Sequence, residues 1–276
     1  MQKRKLPVAV TIAGSDSGGG AGIQADLKTF TALGVHGATV ITCITAQNPK
    51  TVLAVQEILP EIVIKQMQSV FEELNPAAAK TGMLFSEQII NAVADYLKNK
   101  PCPLIIDPVM VSTSGATLLK PEAISALVNK LFPLADLITP NLDEASMLLN
   151  KKIDTEEEFK QSAYDLYKKY KCPVLLKGGH LKRRSAVIDL FYDGKKELTF
   201  SSSRIKNVHT HGTGCTLSSA ICAYLALGLR LDKAIEKAKI YSHTAIKYSY
   251  RIGKYTSLNN SWVNEPVAQI NLTINK

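Results

Sequence analysis

The sequence predicts an α/β protein in which a mostly parallel central sheet is covered by helices on both faces, giving three layers. Short apolar runs, several of them rich in β-branched residues, alternate along the chain with longer stretches whose apolar residues recur at helical spacing. Most polar or glycine-rich breaks directly follow a predicted strand. Because the carboxyl ends of parallel strands meet at one edge of a sheet, we expect these breaks to converge on a ligand site.

The predicted strands are short apolar segments, most of them stopped by glycine, proline or a polar residue. Asp107-Pro108 ends one continuous apolar run, and Pro140 follows the next. The last two segments flank Asp193-Gly194, a dipeptide typical of hairpin turns, so we expect them to pair with each other. The predicted strands cover residues 8–12, 38–44, 77–80, 104–106, 137–139, 174–176, 186–192 and 197–201.

The predicted helices carry recognisable start signals. Pro60 stands in a first turn, where proline is tolerated, and Ser86 is a suitable N-cap. Thr155 and Glu158 have the spacing of a capping box. The predicted helices cover residues 22–33, 60–74, 87–98, 121–132, 142–149, 155–170, 216–228 and 232–250. The tail after Gly253 has no pattern that we can interpret. Since no repeat or linker stands out, we expect a single domain over residues 1–276.

The composition, 46% hydrophobic and 21% charged residues, is that of an ordinary globular protein. No apolar run approaches the ~20 residues of a membrane span, and the N-terminal apolar run is too short for a signal peptide. We therefore expect a cytoplasmic protein without a membrane partner. The net charge is +9, but the basic clusters at 168–171 and 182–184 lack a nucleic-acid-binding motif, so we expect no nucleic-acid partner. Residues 112–117 and 182–185 have the composition of mobile segments.

The five cysteines form no C-x-x-C pair, and one of them has a reactive setting. Cys215 ends the stretch His211-Gly212-Thr213-Gly214-Cys215, directly before a predicted helix. Free N–H groups and a partial positive charge at a helix N-terminus, with glycines that allow close approach, suit an anion. They should also lower the pKa of the thiol towards neutrality, as a general base requires. The alternative is a small buried residue in a tight turn.

Seven segments in order resemble the hydroxymethylpyrimidine/phosphomethylpyrimidine kinases of bacterial thiamine biosynthesis, which belong to the ribokinase-like superfamily. The usual P-loop and dinucleotide-binding patterns are absent from the sequence. The resemblance covers roughly residues 7 to 250. The segments are TIAGSDSGGGAGIQADLK (11–28), TAQN (45–48), KTGM (80–83), DPVM (107–110), TPNLDEA (139–145), KGGH (177–180) and HGTGCT (211–216).

This resemblance implies a ribokinase-like fold and a kinase that uses ATP and Mg²⁺. The substrate would be 4-amino-5-hydroxymethyl-2-methylpyrimidine, which the enzyme would convert to its monophosphate and then to its diphosphate. Cys215 would accept the hydroxyl proton in the first step and would matter less in the second, where a phosphate oxygen attacks. Gly212 and Gly214 would help to form the hole for the transferred phosphoryl charge. Family members are commonly homodimers.

The resemblance also implies roles for single residues elsewhere in the chain. Gln47 would read the pyrimidine, because its amide offers both a donor and an acceptor. Asp26, Met83 and Gly14 would enclose the substrate. Taken alone, Asp26 could equally be a solvated helix residue, and Met83 is more typical of a core. The remaining assignments are Lys177, Asn141 and Thr213 for ATP or phosphate, and Asp107 and Glu144 for the metal.

Three alternatives stay open at this point. A pyridoxine or pyridoxal kinase of the same fold is the nearest, although Gln47 favours the pyrimidine. A hydrolase with Cys215 as nucleophile would need a histidine partner and no ATP. A nucleic-acid-binding module would show steeply salt-dependent binding. His180, His209 and His211 are interpreted as structural or incidental, because their spacing does not fit a metal site.

Overall fold

The computed structural model describes residues 5–99, 102–110, 119–179, 186–206, 208, 210–261 and 271–275. The strands are β1 (Val8–Asp16), β2 (His36–Gln47), β3 (Val52–Glu57), β4 (Ala78–Thr81), β5 (Leu104–Ile106), β6 (Leu137–Ile138), β7 (Val174–Lys177), β8 (Ala186–Tyr192), β9 (Glu197–Ser203), β10 (Tyr250–Ile252), β11 (Tyr255–Ser257) and β12 (Asn271–Asn275). The helices are α1 (Gly22–Ala32), α2 (Pro60–Leu74), α3 (Glu87–Leu97), α4 (Pro121–Ala126), α5 (Leu142–Leu149), α6 (Glu156–Tyr170), α7 (Thr213–Ala226) and α8 (Leu231–Lys247).

Ten strands form one sheet in the order β12-β9-β8-β7-β6-β5-β4-β1-β2-β3. The six strands from β7 to β2 in that order run parallel. Strand β3 at one edge, and β8, β9 and β12 at the other, pair antiparallel. The predicted α/β class with a mostly parallel sheet is therefore confirmed, as is the hairpin around Asp193-Gly194.

The two faces of the sheet bury different helices. Alternate residues of a strand point to opposite faces, so Leu104 and Ile106 of β5 join one core cluster while Ile105 joins the other. The first cluster includes residues of helices α2 to α6, and the second includes residues of α1, α7 and α8. This separation produces the three predicted layers. It also brings the N-termini of α1 and α7 to the same face of the sheet, because both helices belong to one layer.

Several boundaries differ from the prediction for physical reasons. Strands β1 and β2 continue to Asp16 and Gln47, because their polar ends stay paired at Ser15–Ile44 and Asp16–Thr45. Strand β3 has no continuous apolar signal, because it is a largely exposed edge strand. The predicted helix over 121–132 is α4 followed by a π-turn and a 3₁₀-turn that reaches Leu134. Helix α7 begins three residues earlier than predicted, at Thr213.

The described part of the chain contains no helix that is long and apolar enough to cross a membrane. The predicted mobile segments 112–117 and 182–185 lie outside the described residues, as do His180 and His209.

Candidate active site

One cavity of about 420 Å³ opens at the carboxyl edge of the parallel strands. The segments that follow β1, β2, β4, β5, β6 and β7 contribute to its wall, together with the start of α7 and one side of α8. The predicted site residues that line it are Gly14, Gln47, Met83, Asp107, Asn141, Glu144, Lys177, Gly212, Thr213, Gly214 and Cys215. The folded chain therefore brings together residues as far apart in sequence as Gly14 and Cys215. Asp26 is the predicted residue that does not line this cavity.

The start of α7 is held against the glycine-rich loop that follows β1. Gly212, the N-cap residue, has φ +82°, a conformation that favours glycine. A Cβ at this position would lie 1.8 Å from the carbonyl oxygen of Gly20, so the two segments touch through their backbones. Thr213 donates its hydroxyl hydrogen to the carbonyl of Thr210 at 2.8 Å. The first turn of α7 is thus fixed with its N–H ends at the cavity.

Cys215 lies in this first turn and is half-buried, whereas the other four cysteines are buried. Burial raises the pKa of its thiol to about 12, and the ammonium of Lys80 opposes that shift only in part. The expectation that the helix N-terminus would lower the pKa of Cys215 is therefore wrong for the unliganded protein. Burial removes water from the thiolate, and this cost exceeds what Lys80 and the hydrogen bond from the Gly22 backbone return. The thiol is consequently protonated at neutral pH.

Asp26 lies behind the cavity wall, where it binds Lys80. The Lys80 ammonium is 2.9 Å from both carboxylate oxygens of Asp26, and Thr11 donates a hydrogen bond of 2.6 Å to the same carboxylate. The expectation that Asp26 encloses the substrate directly is corrected, because its side chain is fully buried and Lys80 stands at the cavity instead. Burial would lower the pKa of Lys80, but Asp26 raises it, so the ammonium stays charged.

Asp107 and Lys177 form a second buried ion pair, at the ends of β5 and β7. Asp107 Oδ1 accepts hydrogen bonds from Lys177 Nζ at 2.9 Å and from Thr139 Oγ1 at 3.1 Å. Ser218 of α7 donates to Oδ2 at 3.2 Å. Burial would raise the pKa of Asp107, but Lys177 and Lys80 together lower it, so its carboxyl is ionised. The pair places a fixed ammonium beside the start of α7.

Asn141 and Glu144 form a capping box at the start of α5. Asn141 Oδ1 accepts from the Glu144 backbone N–H at 2.9 Å, and Glu144 Oε2 accepts from the Asn141 N–H at 2.8 Å. The backbone N–H of Met110 donates to the other oxygen of Glu144 at 3.3 Å. Burial raises the pKa of Glu144 to about 7, although Lys177 opposes this shift. The two residues thus have a structural role that the sequence prediction did not assign.

The acidic residues fit a Mg²⁺ ion that keeps most of its water. Asp107 and Glu144 both line the cavity, and the charge of Asp107 contributes to the raised pKa of Glu144. The described residues contain no group of three or more acidic, histidine or cysteine side chains arranged as a metal site. A cation bound by one or two carboxylates and otherwise by water and phosphate needs no such group.

Gln47 also lines the cavity, with neighbours that the sequence did not identify. Its Oε1 is 3.1 Å from Thr45 Oγ1, and its Nε2 is 3.5 Å from His211 Nε2. His211 in turn lies 3.1 Å from Asp16 Oδ2. The sequence predicts a structural or incidental role for His211, and in the structure this residue also lines the cavity. The signal that could have found Asp16 is an aspartate directly before a glycine-rich loop, a typical acceptor for loop N–H groups.

Gly14 and Met83 also line the cavity. A Cβ at Gly14 would lie 2.7 Å from the sulfur of Cys43, so a larger residue would displace a buried side chain. The sulfur of Met83 is 3.8 Å from the same point, and its backbone carbonyl accepts a hydrogen bond from Thr42. Both residues therefore have the predicted location.

A third buried ion pair lies at the end of the cavity near α8. Lys239 Nζ is 2.5 Å from Asp189 Oδ2, and Asp189 Oδ1 accepts from the backbone N–H of Gly178 at 2.9 Å. Both side chains line the cavity, as do His243 and Ile246 of α8. The sequence did not identify these residues as site residues, because they lie within a helix and a hairpin, where polar residues are usually exposed to solvent.

The sequence matches the phosphomethylpyrimidine kinase family over residues 16–260. It is 49% identical, over 246 residues, to the hydroxymethylpyrimidine/phosphomethylpyrimidine kinase of Rhizobium meliloti, covering 89% of this chain and 92% of that protein. Its fold is similar to phosphomethylpyrimidine kinase from Clostridium difficile (TM-score 0.77, 44% identity, 88% of this chain and 100% of that one). It is also similar to pyridoxal kinase from Staphylococcus aureus in complex with AMP-PCP and pyridoxal (TM-score 0.88, 31% identity, 98% and 100%). The chain belongs to the phosphomethylpyrimidine kinase family.

Proposed function

We propose that this protein transfers the γ-phosphoryl group of ATP to 4-amino-5-hydroxymethyl-2-methylpyrimidine, and then a second phosphoryl group to the monophosphate. One observation carries the proposal: Gln47, Lys177 and Cys215, which lies in the first turn of α7, line the same cavity. The cavity thus combines a donor–acceptor amide for a ring edge with an anion site for a phosphoryl group. The family relationship supports the same reaction.

In the first transfer, the substrate hydroxyl oxygen forms a bond to the γ-phosphorus while the bond between that phosphorus and the ADP oxygen breaks. The hydroxyl proton passes to the sulfur of Cys215. Because the thiol of Cys215 has a pKa of about 12, Cys215 must first release its own proton to solvent before it can act in this way. The charges of Lys80 and Lys177 both interact favourably with a Cys215 thiolate, so they stabilise the base once it forms.

The equatorial oxygens of the transferred group carry the developing charge, and the first turn of α7 meets them. Backbone N–H groups fixed before the reaction stabilise such charge without reorganisation. Gly214 allows the close approach, since a Cβ there would lie 3.4 Å from Lys177 Nζ. Lys177 adds a point charge that Asp107 holds in place. In the second transfer the attacking phosphate oxygen is already ionised, so Cys215 is not needed as a base.

We propose that Asp107 and Glu144 hold Mg²⁺, largely through water, on the phosphate side of the cavity. The ion would neutralise charge on the phosphates of ATP. Asn141, which Glu144 holds through the capping box, would face the same phosphates. Cation binding should lower the pKa of Glu144, because a positive charge favours its carboxylate.

The test is turnover of the pyrimidine alcohol by the purified protein with ATP and Mg²⁺, with the monophosphate and diphosphate separated by chromatography. A protein that consumes no ATP with this alcohol refutes the proposal. The runner-up is a pyridoxal kinase, which the similarity to the Staphylococcus aureus enzyme favours. Comparing kcat/KM for the pyrimidine alcohol and for pyridoxal separates the two activities.

We further propose a cytoplasmic homodimer. Strand β3 is a sheet edge whose apolar Leu53 is 75% exposed, and Ile44 of the neighbouring strand is also exposed. An exposed apolar strand edge suits association with a second copy. Sedimentation equilibrium would show a single monomeric species if this is wrong, and fractionation of cells tests the location.

A further inference from the structure

Three side chains from distant parts of the chain meet around Gln47. Asp16 ends β1, Thr45 lies near the end of β2, and His211 directly precedes Gly212, the N-cap of α7. The three contacts, Asp16–His211 at 3.1 Å, His211–Gln47 at 3.5 Å and Thr45–Gln47 at 3.1 Å, form one chain of polar atoms. One group in this set of contacts can only accept hydrogen bonds, and the position of each hydrogen follows from that group.

Asp16 is that group. Its carboxylate accepts the backbone N–H groups of Gly18, Gly20 and Ala21 at 2.8, 3.1 and 2.8 Å. Burial would raise the pKa of Asp16, but the hydrogen bond from His211 and those from the loop lower it, so the carboxyl is ionised. An ionised carboxylate can only accept, and therefore Nε2 of His211 carries a hydrogen that points to Asp16.

Thr45 has a single hydroxyl hydrogen with two acceptors in range. The carbonyl oxygen of Ser15 lies at 2.9 Å and Gln47 Oε1 at 3.1 Å. The carbonyl of Ser15 is an acceptor only and is the nearer, so it takes the hydrogen. The lone pairs of Thr45 Oγ1 then face Gln47, where they suit an NH₂ group and repel an oxygen.

Both neighbours therefore favour the same orientation of the Gln47 amide. The one hydrogen on His211 Nε2 is directed at Asp16, but the N–H edge of the ring is electropositive, so at 3.5 Å it favours Oε1 over an NH₂ group. Thr45 presents lone pairs, which suit Nε2. A half-turn about the last side-chain bond exchanges the two atoms without moving the rest of the residue. We propose that Asp16 and His211, with Thr45, hold the Gln47 amide with Oε1 towards His211 and the NH₂ group towards Thr45, and thereby fix which way round an aminopyrimidine ring binds.

The orientation has a consequence for catalysis, which rests on the proposed function. The 4-amino group of the substrate donates and must face Oε1 on the His211 side, while the adjacent ring nitrogen accepts from the NH₂ group on the Thr45 side. The hydroxymethyl group is next to the amino group on the ring. His211 stands four residues before Cys215, so this pose directs the hydroxymethyl group to the start of α7. His211 is in this sense a positioning residue.

The test compares two substrates whose hydrogen-bonding edges are reversed. The natural edge has a 4-amino donor and a ring-nitrogen acceptor, whereas the 4-oxo analogue, 5-hydroxymethyl-2-methylpyrimidin-4-one, has a carbonyl acceptor and a ring N–H donor. In the His211→Phe variant the amide loses one of its two orienting neighbours and turns more readily. The ratio of kcat/KM for the amino and oxo compounds should fall by about tenfold or more, the size of one well-placed hydrogen bond. His36→Phe, at an exposed position that starts β2, should leave the ratio unchanged.

Thr45→Val provides an independent second variant, because it removes the acceptor on the other side of the amide. Its ratio should fall as well, and the double variant should lose less than the product of the two effects. Affinity for a non-hydrolysable ATP analogue, measured by calorimetry, checks that each variant is folded. Unchanged ratios in folded variants overturn this inference, and Thr45→Val alone decides if His211→Phe does not fold. A wild-type protein inactive on the aminopyrimidine would instead refute the proposed function.

Discussion

Removing the charge of Lys80 should both destabilise the protein and change the chemistry of Cys215. In Lys80→Met, Asp26 keeps its place with no exposed surface, but it loses the ammonium 2.9 Å away. Breaking a buried pair by removing one partner costs about 3–5 kcal/mol, because a charge is left uncompensated. For a chain of this size each kcal/mol lowers the melting temperature by roughly 2–4 °C, so we expect a drop of roughly 6–20 °C.

Two controls separate this mechanism from the loss of a lysine side chain. Asp26→Asn/Lys80→Met removes both charges and should recover part of the lost stability, because no unpaired charge stays buried. Lys98→Met breaks a pair with Asp95 in which both side chains are more than half exposed, and it should leave the melting temperature unchanged. A Lys80→Met protein as stable as the wild type would refute the argument that Asp26 depends on Lys80.

The second measurement on the same variant follows the thiol. Lys80 is the largest influence that opposes the rise in the pKa of Cys215, so its removal should raise that pKa further. The rate of alkylation by iodoacetamide, measured against pH, reports the thiolate. Because the other four cysteines are buried, Cys215 should react first. Equal alkylation rates for the variant and the wild type between about pH 7 and 9 would contradict the role of Lys80 as stabiliser of the thiolate.

Three further predictions follow from single residues. Cys215→Ala should slow the first transfer by about 10²–10⁴-fold and the second transfer much less. Because the thiol has a pKa of about 12, the wild-type kcat/KM of the first transfer should rise with pH above 7. Equal losses in both steps, or a flat pH profile, would contradict the role of Cys215 as a base. The pKa of Glu144 rises on folding from 4.5 to about 7, so this residue should stabilise the metal-free protein most at acidic pH. The contribution disappears as pH rises through about 7. The melting temperature of the wild type should therefore fall relative to that of Glu144→Gln between about pH 5 and 8. Gly212→Ala should cost clearly more unfolding free energy in urea than Gly228→Ala, because both have a φ above +80° but a Cβ clashes at Gly212 alone; equal costs would show that the contact with Gly20 yields easily.

The sequence was sufficient to predict the parallel strands and the helices, because their apolar residues are buried in two cores. Strand β5 and helix α2 have the predicted bounds, since continuous apolar runs and a proline in the first turn leave few alternatives. Strand β3 escaped prediction, because an exposed edge strand needs no apolar pattern and is held by backbone pairing to β2. Strand β12, which pairs antiparallel with β9 at the opposite edge of the sheet, was not predicted either.

The candidate site was predictable where a motif places a residue at the end of a strand, and not where the role comes from a partner elsewhere in the chain. Nothing near Asp26 in the sequence indicates Lys80, which lies 54 residues away. Cys215 was placed correctly, but its pKa depends on how completely the fold encloses it. A local sequence pattern indicates a helix end, which lowers a pKa. It does not indicate the surrounding packing, which raises the pKa.

The three buried ion pairs hold ammonium groups in fixed positions around the cavity, independently of the net charge of the surface. Lys80, Lys177 and Lys239 all line the cavity, and each is held by an aspartate that is at most 3% exposed. A free surface lysine would lose side-chain entropy and change its hydration on meeting a phosphate, whereas these ammonium groups are already ordered and partly desolvated. The aspartates lower the positive potential that a ligand meets, so they contribute to binding by holding each ammonium group in a fixed position. Such pairs contribute little net stability, because desolvation offsets their attraction, and their place around one cavity therefore argues that they serve ligand binding.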